Sequence, residues 1–181
     1  MRSIELTRRA AAAALALALL GCATPRRAAP CPPGWSGRIA VVQGDPQRGV
    51  YGNFRLLLDD RGGRFDLLSP LGQTLAQARW NARSAEFDDG HGVREFASFE
   101  AMAQAMLGLP LPRVALQDWV RGEPSPTLPS TALAGGGFEQ LGWDVAVERE
   151  AGRVRLLRAS RMRGAAARVS LVFDAPCAGV Q

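Results

Sequence analysis

The sequence predicts a mainly β domain of antiparallel strands, interrupted once by a pair of helices. Apolar and polar residues alternate with period two in about ten short runs, which is the pattern of strands with one buried face. Turn residues separate most of these runs, as expected for successive hairpins. Between the sixth and the seventh run, the apolar spacing changes to three and four residues, which is typical of helices.

An export signal precedes this domain. Arg2, Arg8 and Arg9 are followed by an apolar run over residues 10–20, which is too short to span a hydrocarbon core of about 30 Å. The run ends in Leu19-Leu20-Gly21-Cys22, which resembles the lipobox of bacterial lipoproteins, where the cysteine is acylated before cleavage. We therefore expect residues 1–21 to be a lipoprotein signal peptide. The alternative is an ordinary export signal with an incidental cysteine.

Cys22 is accordingly predicted to be the lipid anchor. In Gram-negative lipoproteins, an Asp after this cysteine tends to retain the protein at the inner membrane, and here that position is Ala23. We therefore expect the outer membrane, with the domain facing the periplasm. Residues 22–34 hold four prolines and no apolar periodicity, which predicts an extended tether. At about 3.1 Å per residue, it reaches about 35 to 40 Å.

Residues 35–181 are predicted to form one domain, because they suffice for a sizeable core. Its predicted strands are Trp35 to Gln43, Val50 to Leu58, Arg64 to Leu68, Gln73 to Trp80, Ala85 to Asp88, Val93 to Ala97, Phe138 to Leu141, Trp143 to Arg149, Arg153 to Ala159, and Arg168 to Asp174.

Two helices are predicted between the sixth and seventh strands. Ser98 suits the N-cap of the first, and Gly108 and Pro110 end it. Pro112 suits the first turn of the second helix, which Gly122 and Pro124 end. Their apolar stripes are Phe99, Met102, Ala103, Met106 and Leu107 in the first, and Leu116, Trp119 and Val120 in the second. A curved sheet under such a helix pair encloses either a filled core or an apolar cavity, and the pattern does not distinguish them.

The composition argues against several classes of function. All 22 basic residues are arginines, so a phosphate-binding loop with its lysine and a Schiff-base lysine are excluded. Residues 22–181 hold 19 Arg against 16 Asp and Glu, a balance too mild to predict nucleic-acid binding. His91, the single histidine, stands between two glycines in a predicted turn, which is a poor place for a hydrolytic triad. We expect no catalytic site, metal or cofactor.

Cys31 and Cys177 lie near the two ends of the predicted domain. In an oxidising periplasm they form either a disulfide that closes a very long loop or two inert thiols. Their spacing does not suit a metal site.

Four ordered blocks of the sequence resemble one family. They are Trp35-Ser36-Gly37-Arg38-Ile39-Ala40-Val41, Phe65-Asp66-Leu67-Leu68-Ser69-Pro70-Leu71-Gly72, Leu107-Gly108-Leu109-Pro110-Leu111-Pro112 followed by Asp118-Trp119-Val120-Arg121-Gly122, and Phe138-Glu139-Gln140-Leu141-Gly142-Trp143. Together they resemble the outer-membrane lipoprotein receptors of the LolB family. The proline-rich tether and the Cys31 and Cys177 pair depart from the family pattern.

The resemblance implies a fold and a function. The implied fold is an open, incomplete antiparallel β-barrel of about 10–11 strands with a helical lid, as in LolA and LolB. The implied monomer holds the acyl chains of lipoprotein cargo in a hydrophobic cavity. It takes that cargo from the periplasmic carrier LolA and inserts it into outer-membrane phospholipid without nucleotide hydrolysis. The rivals are a docking lipoprotein with a filled core and an enzyme that acts on envelope lipids.

The residues predicted to line the cavity are the apolar ones on the inward faces of the strands and helices. They are Ile39, Val41, Phe54, Leu56, Phe65, Leu67, Trp80, Met102, Met106, Trp119, Trp143, Val145 and Val147.

The Pro70-Leu71-Gly72 turn is predicted to contact the membrane. Proline and glycine suit a tight turn, and a large apolar residue between them is directed outward. A leucine folded back into the core is the alternative.

Overall fold

The computed structural model describes residues 34–45, 49–108, 111–161 and 166–175, and all of them belong to one compact unit. The predicted signal peptide, the Cys22 anchor, most of its tether and the Cys31–Cys177 pair lie outside these residues.

Eleven strands form one antiparallel sheet, in the order β6-β5-β4-β3-β2-β1-β11-β10-β9-β8-β7. The strands are β1 (Trp35–Gln43), β2 (Val50–Asp59), β3 (Gly62–Leu68), β4 (Thr74–Asn81), β5 (Ala85–Asp88), β6 (Val93–Phe96), β7 (Ser130–Ala132), β8 (Phe138–Gln140), β9 (Trp143–Glu150), β10 (Arg153–Arg161) and β11 (Ala167–Phe173). Consecutive strands pair as hairpins, apart from β6 and β7, which the helices separate.

Pairing of β1 with β11 joins the two runs of hairpins into one sheet. The strands approach closely at Gly37, opposite Phe173, where a Cβ atom would overlap the carbonyl oxygen of Val172. Only glycine permits this approach, at a φ of 155°. In the described part of the chain, β6 and β7 are sheet edges that do not pair with each other. The sheet is therefore an open, incomplete barrel, which confirms the predicted fold class.

Two helices cover the inward face of the sheet: α1 (Phe99–Leu107) and α2 (Arg113–Trp119). The Ser98 hydroxyl caps α1 by accepting a hydrogen bond from the Ala101 N–H at 3.1 Å. Gly108 ends α1 in the left-handed conformation, at a φ of 67°. No helix in the described residues is long and apolar enough to cross a membrane.

The two ends of the sheet differ in their connections. Because neighbouring strands are antiparallel, the connections β1–β2, β3–β4, β5–β6 and β8–β9 all lie at one end. We call it the Leu71 end, after the residue in the β3–β4 turn. The Gln43 amide at the end of β1 donates to the Gly108 carbonyl at 2.9 Å, so α1 also ends there.

The predicted elements differ from the structure at a few positions. Pro112 is the N-cap of α2 and precedes its first turn. Strand β7 was not predicted, because its three residues are all exposed and show no apolar alternation. The other strand limits agree with prediction to within one or two residues.

Candidate functional site

An apolar cavity of about 410 Å³ lies between the sheet and the helices. The strands contribute Ile39, Val41, Val50, Phe54, Leu56, Phe65, Leu67, Ala76, Ala78, Trp80, Phe87, Arg94, Leu157, Ala159, Val169 and Leu171, and the β5–β6 turn contributes Asp89. The helical segment contributes Phe99, Met102, Ala103, Met106, Leu107, Leu111, Pro112, Leu116, Trp119 and Val120. All are apolar except Asp89 and Arg94, so the cavity suits a hydrocarbon ligand.

Ten of the thirteen predicted lining residues surround this cavity. They are Ile39, Val41, Phe54, Leu56, Phe65, Leu67, Trp80, Met102, Met106 and Trp119. Trp143, Val145 and Val147 do not line it. The prediction placed them there because they face inward, but the Trp119 ring packs against Trp143 and Phe138 in this part of the sheet. The Trp119 ring centroid lies 6.4 Å from that of Trp143 and 6.1 Å from that of Phe138.

The sheet is therefore filled under β8 and β9, whereas the cavity borders β1 to β6, β10 and β11. In the filled part, the buried side chain of Gln140 in β8 holds the helical segment against the sheet by hydrogen bonds. Its side-chain oxygen accepts hydrogen bonds from Trp119 Nε1 at 2.8 Å and from the Ser125 N–H at 2.9 Å. Its amide nitrogen donates to the carbonyls of Ser125 at 3.0 Å and Leu128 at 3.2 Å. The buried amide thus fixes Trp119 and the segment after α2 against the sheet.

Several lining residues were absent from the predicted set. Phe99, Ala103, Leu107, Leu116 and Val120 belong to the apolar stripes predicted for the two helices, but they were not predicted to line a cavity. Leu157, Ala159, Val169 and Leu171 come from β10 and β11. Period-two alternation marks these four as inward-facing, as it does their neighbours on β9. Alternation does not show that Trp119 packs against Trp143 of β9 and leaves β10 and β11 to border the cavity.

Aromatic packing closes the cavity at the end away from Leu71. The ring centroids of Trp80, near the end of β4, and Phe99, at the start of α1, lie 4.6 Å apart. Phe54 packs on Phe65 at 6.1 Å and on Phe173 at 5.9 Å. These contacts hold several large side chains of the wall in fixed positions.

The mouth of the cavity lies at the Leu71 end. Val50 and Arg94 are the exposed residues of the lining, and both stand where their strands begin at this end. Asp89 lies in the neighbouring β5–β6 turn.

The Leu71 side chain projects from the same end and is 88% exposed. Its turn is well ordered by hydrogen bonds. The Gly72 N–H donates to the Ser69 carbonyl at 2.9 Å, and the Ser69 N–H donates to the Gln73 carbonyl at 2.8 Å. Gly72 has a φ of 81°, which suits glycine. Pro70, Leu71 and Gly72 are all exposed, so the folded-back alternative for Leu71 is wrong in this structure.

Other large apolar side chains are exposed at this end. Among the described residues, the exposed large apolar side chains are Val50, Tyr51, Leu71, Leu75, Val93, Val114 and Leu141. All except Val114, which is on α2, lie at the Leu71 end. Clusters of exposed apolar side chains are typical of surfaces that contact an apolar partner.

Asp89 and Arg94 form an ion pair at the mouth. Arg94 Nη2 donates to Asp89 Oδ2 at 2.7 Å, and the guanidinium lies 5.2 Å from the centroid of the Phe87 ring. Asp89 Oδ1 accepts a hydrogen bond from the His91 N–H at 3.1 Å. This backbone hydrogen bond, together with the charge of Arg94, lowers the pKa of the Asp89 carboxyl, which is therefore ionised at neutral pH.

His91 itself is exposed in the β5–β6 turn. In the part of the chain that the structure describes, no three His, Cys, Asp or Glu side chains are grouped to hold a metal ion. The arrangement at this site is suited to binding apolar chains.

Comparison with known proteins gives consistent matches. The sequence profile of the family described as "Outer membrane lipoprotein LolB" matches residues 34–175. The outer-membrane lipoprotein LolB of Bordetella petrii is 30% identical over 152 residues, which cover 76% of each chain. That of Ralstonia nicotianae is 34% identical over 121 residues, 61% of this chain and 57% of the relative. That of Cupriavidus pinatubonensis is 34% identical over 99 residues, 53% of this chain and 48% of the relative. The chain thus spans about half the length of the last two relatives.

Proposed function

Because this chain belongs to the LolB family of outer-membrane lipoproteins, we propose that it receives acylated lipoproteins in its apolar cavity and releases them into the outer membrane. The donor is the periplasmic carrier LolA, and the acceptor is outer-membrane phospholipid. The observation that carries the proposal is a cavity of about 410 Å³ that opens at the end of the sheet where Leu71 is exposed. The chain acts as a receptor and not as an enzyme.

The physical reason for such a receptor is the cost of exposing acyl chains to water. Burial of each methylene is worth about 0.8 kcal/mol, so a lipoprotein with about three chains would lose tens of kcal/mol in an aqueous step. An apolar cavity removes this cost during transfer. The rival docking function would need only a filled core, and the cavity between the sheet and the helices favours the receptor instead.

Transfer in this proposal runs downhill in affinity without nucleotide. The sequence has no lysine for a phosphate-binding loop. The cavity would then bind acyl chains more tightly than the carrier does and less tightly than the bilayer does. A strict ATP requirement for transfer from a loaded carrier would contradict this order.

Leu71 has a separate role in the proposal. A single leucine gains only about 1.5 to 3 kcal/mol on full burial, which is too little to anchor the domain. It is enough to disturb the headgroups of the membrane beside the cavity mouth, where cargo leaves.

Filling the cavity tests the proposed function. Ala78 in β4 is buried in the cavity wall, and Ala78→Phe would place a ring where acyl chains lie. Displacing about two methylenes lowers the affinity about tenfold, so we expect at least that loss for an alkyl-pyrene probe, with a matching loss of cargo transfer.

The control is Ala146→Phe, at an exposed position of β9. It adds the same ring outside the cavity and should change neither the affinity for the alkyl-pyrene probe nor the transfer of cargo. Thermal unfolding of both variants checks that they fold. A folded Ala78→Phe variant that binds and transfers like the wild type would refute the proposal.

A further inference from the structure

The lining of the cavity contains two charged residues, and both are at its mouth. Asp89 and Arg94 stand on the β5–β6 hairpin at the Leu71 end, whereas the other lining residues are apolar. An acyl chain needs no charged contact. The position of the pair therefore suggests that it meets the polar part of a ligand whose chains lie deeper.

Arg94 faces the cavity because of its register. It is paired with Phe87 across the hairpin, and both side chains line the wall, while the neighbouring Val93 is on the other face. The guanidinium packs over the Phe87 ring, which limits its freedom. Its side chain remains 48% exposed, so a ligand at the mouth can reach it.

Asp89 occupies only part of the hydrogen-bonding capacity of Arg94. Nη2 donates to Asp89, and among the residues that the structure describes, Nε and Nη1 have no protein acceptor. A guanidinium carries five N–H donors in a planar fork, so the remaining donors are available to carbonyl or phosphate oxygens. The Asp89 side chain is itself held by the His91 N–H.

We propose that Arg94 is a specificity-determining residue of the mouth, whose guanidinium donates hydrogen bonds to the ester and amide carbonyl oxygens that join acyl chains to the rest of the ligand. Asp89 positions the guanidinium. This proposal rests on the proposed function, and it orients the cargo with its chains toward Trp80 and its acylated terminus at the Leu71 end.

Two probes separate this role from simple apolar binding. The first is a synthetic peptide with an N-terminal S-dipalmitoylglyceryl cysteine, which has ester carbonyls. The second is an alkyl-pyrene, which has no oxygen. In the full-length chain we expect Arg94→Met to weaken binding of the lipopeptide about tenfold, as for loss of a charged hydrogen bond, and to change alkyl-pyrene binding by less than about twofold.

Two further variants sharpen the test. Arg94→Lys keeps the charge opposite Asp89 but loses the planar fork, so it should recover only part of the lipopeptide affinity. Arg79→Met removes an exposed arginine of β4 and should change neither affinity.

The outcomes distinguish the two proposals. Equal losses for both probes, no loss for either, or full recovery with Arg94→Lys would overturn the role of Arg94. Failure of the wild-type protein to bind the alkyl-pyrene would instead overturn the proposed cavity function.

Discussion

At the scale of single residues, Leu71 combines high exposure with a turn that is held by backbone hydrogen bonds. Replacing Leu71 with Glu would leave the turn intact, because the side chain makes no core contact, and would oppose entry into the apolar layer. We expect Leu71→Glu to bind alkyl-pyrene normally and to insert cargo into vesicles at least about tenfold more slowly, since even about 1.4 kcal/mol gives that factor.

The control places the same charge at the opposite end of the sheet. Ala134 is exposed in the β7–β8 connection, so Ala134→Glu should not affect insertion. Normal insertion by Leu71→Glu would show that the leucine does not contact the membrane.

Gln140 is a buried polar residue in the filled part of the fold. It is 1% exposed, and its amide makes four hydrogen bonds. Gln140→Met keeps the volume but leaves Trp119 Nε1 and three backbone groups without these partners. We expect a loss of about 2 to 4 kcal/mol in the free energy of unfolding, measured by urea denaturation.

Glu139→Gln on the same strand provides the comparison. Glu139 is half-buried and accepts only a long hydrogen bond of 3.3 Å from the Gly142 N–H. We expect Glu139→Gln to change the free energy of unfolding by no more than about 0.5 kcal/mol. Equal effects of the two variants would mean that the hydrogen bonds of Gln140 add little stability.

At the scale of elements, α1 is tied to the sheet at its C-terminal end by Gln43. The side chain donates to the carbonyl of Gly108, one of the groups that helix geometry leaves unpaired. Because this contact is exposed, we expect Gln43→Ala to cost only about 0.5 to 1 kcal/mol in global stability. Its larger effect should be faster hydrogen exchange of the α1 amides near Gly108.

Gln104→Ala, at an exposed position of α1, serves as the control, because it shortens a glutamine without touching the sheet. Unchanged hydrogen-exchange rates of the α1 amides in Gln43→Ala would show that the Gln43 hydrogen bond does not stabilise the end of the helix.

Strands and helices were predictable where one face is buried. Period-two alternation gave β1 with both limits correct, and the Ser98 and Gly108 signals gave both ends of α1. Strand β7 carries no such signal, since all three of its residues are exposed and its pairing with β8 comes from the tertiary fold.

The cavity was predictable only in part, because its extent depends on tertiary packing that the apolar pattern of the sequence does not reveal. Alternation identifies which residues face inward, as it did correctly for Trp143 and Val145, which are fully buried. It does not reveal whether another element covers them. That depends on the hydrogen bond between Trp119 and Gln140, which joins residues 21 positions apart. The mouth pair of Asp89 and Arg94 was missed because both residues are charged and lie on a short hairpin, where the alternation of apolar residues is weak.

At the scale of the whole molecule, the cavity, its mouth and Leu71 all lie within residues 34–175, the segment that the family profile matches. The proposed anchor at Cys22 lies outside this segment. We therefore expect a Cys22→Ala protein to bind alkyl-pyrene with wild-type affinity and to transfer cargo from the loaded carrier to vesicles at a reduced but measurable rate. A complete loss of transfer would show that the anchor matters more than the Leu71 contact.

The unpaired edges of the sheet have a mechanical consequence. In the described part of the chain, β6 and β7 do not pair, so spreading them apart breaks no hydrogen bond of the sheet ladder. Widening is resisted by side-chain packing and by a few hydrogen bonds between the sheet and the helical segment, such as those of Gln43 and Gln140, and not by a closed ring of backbone hydrogen bonds. We therefore expect the open sheet to deform more easily perpendicular to its strands than along them. Under the proposed function, this compliance would let one cavity hold acyl chains of different number and length, without a separate compartment for each.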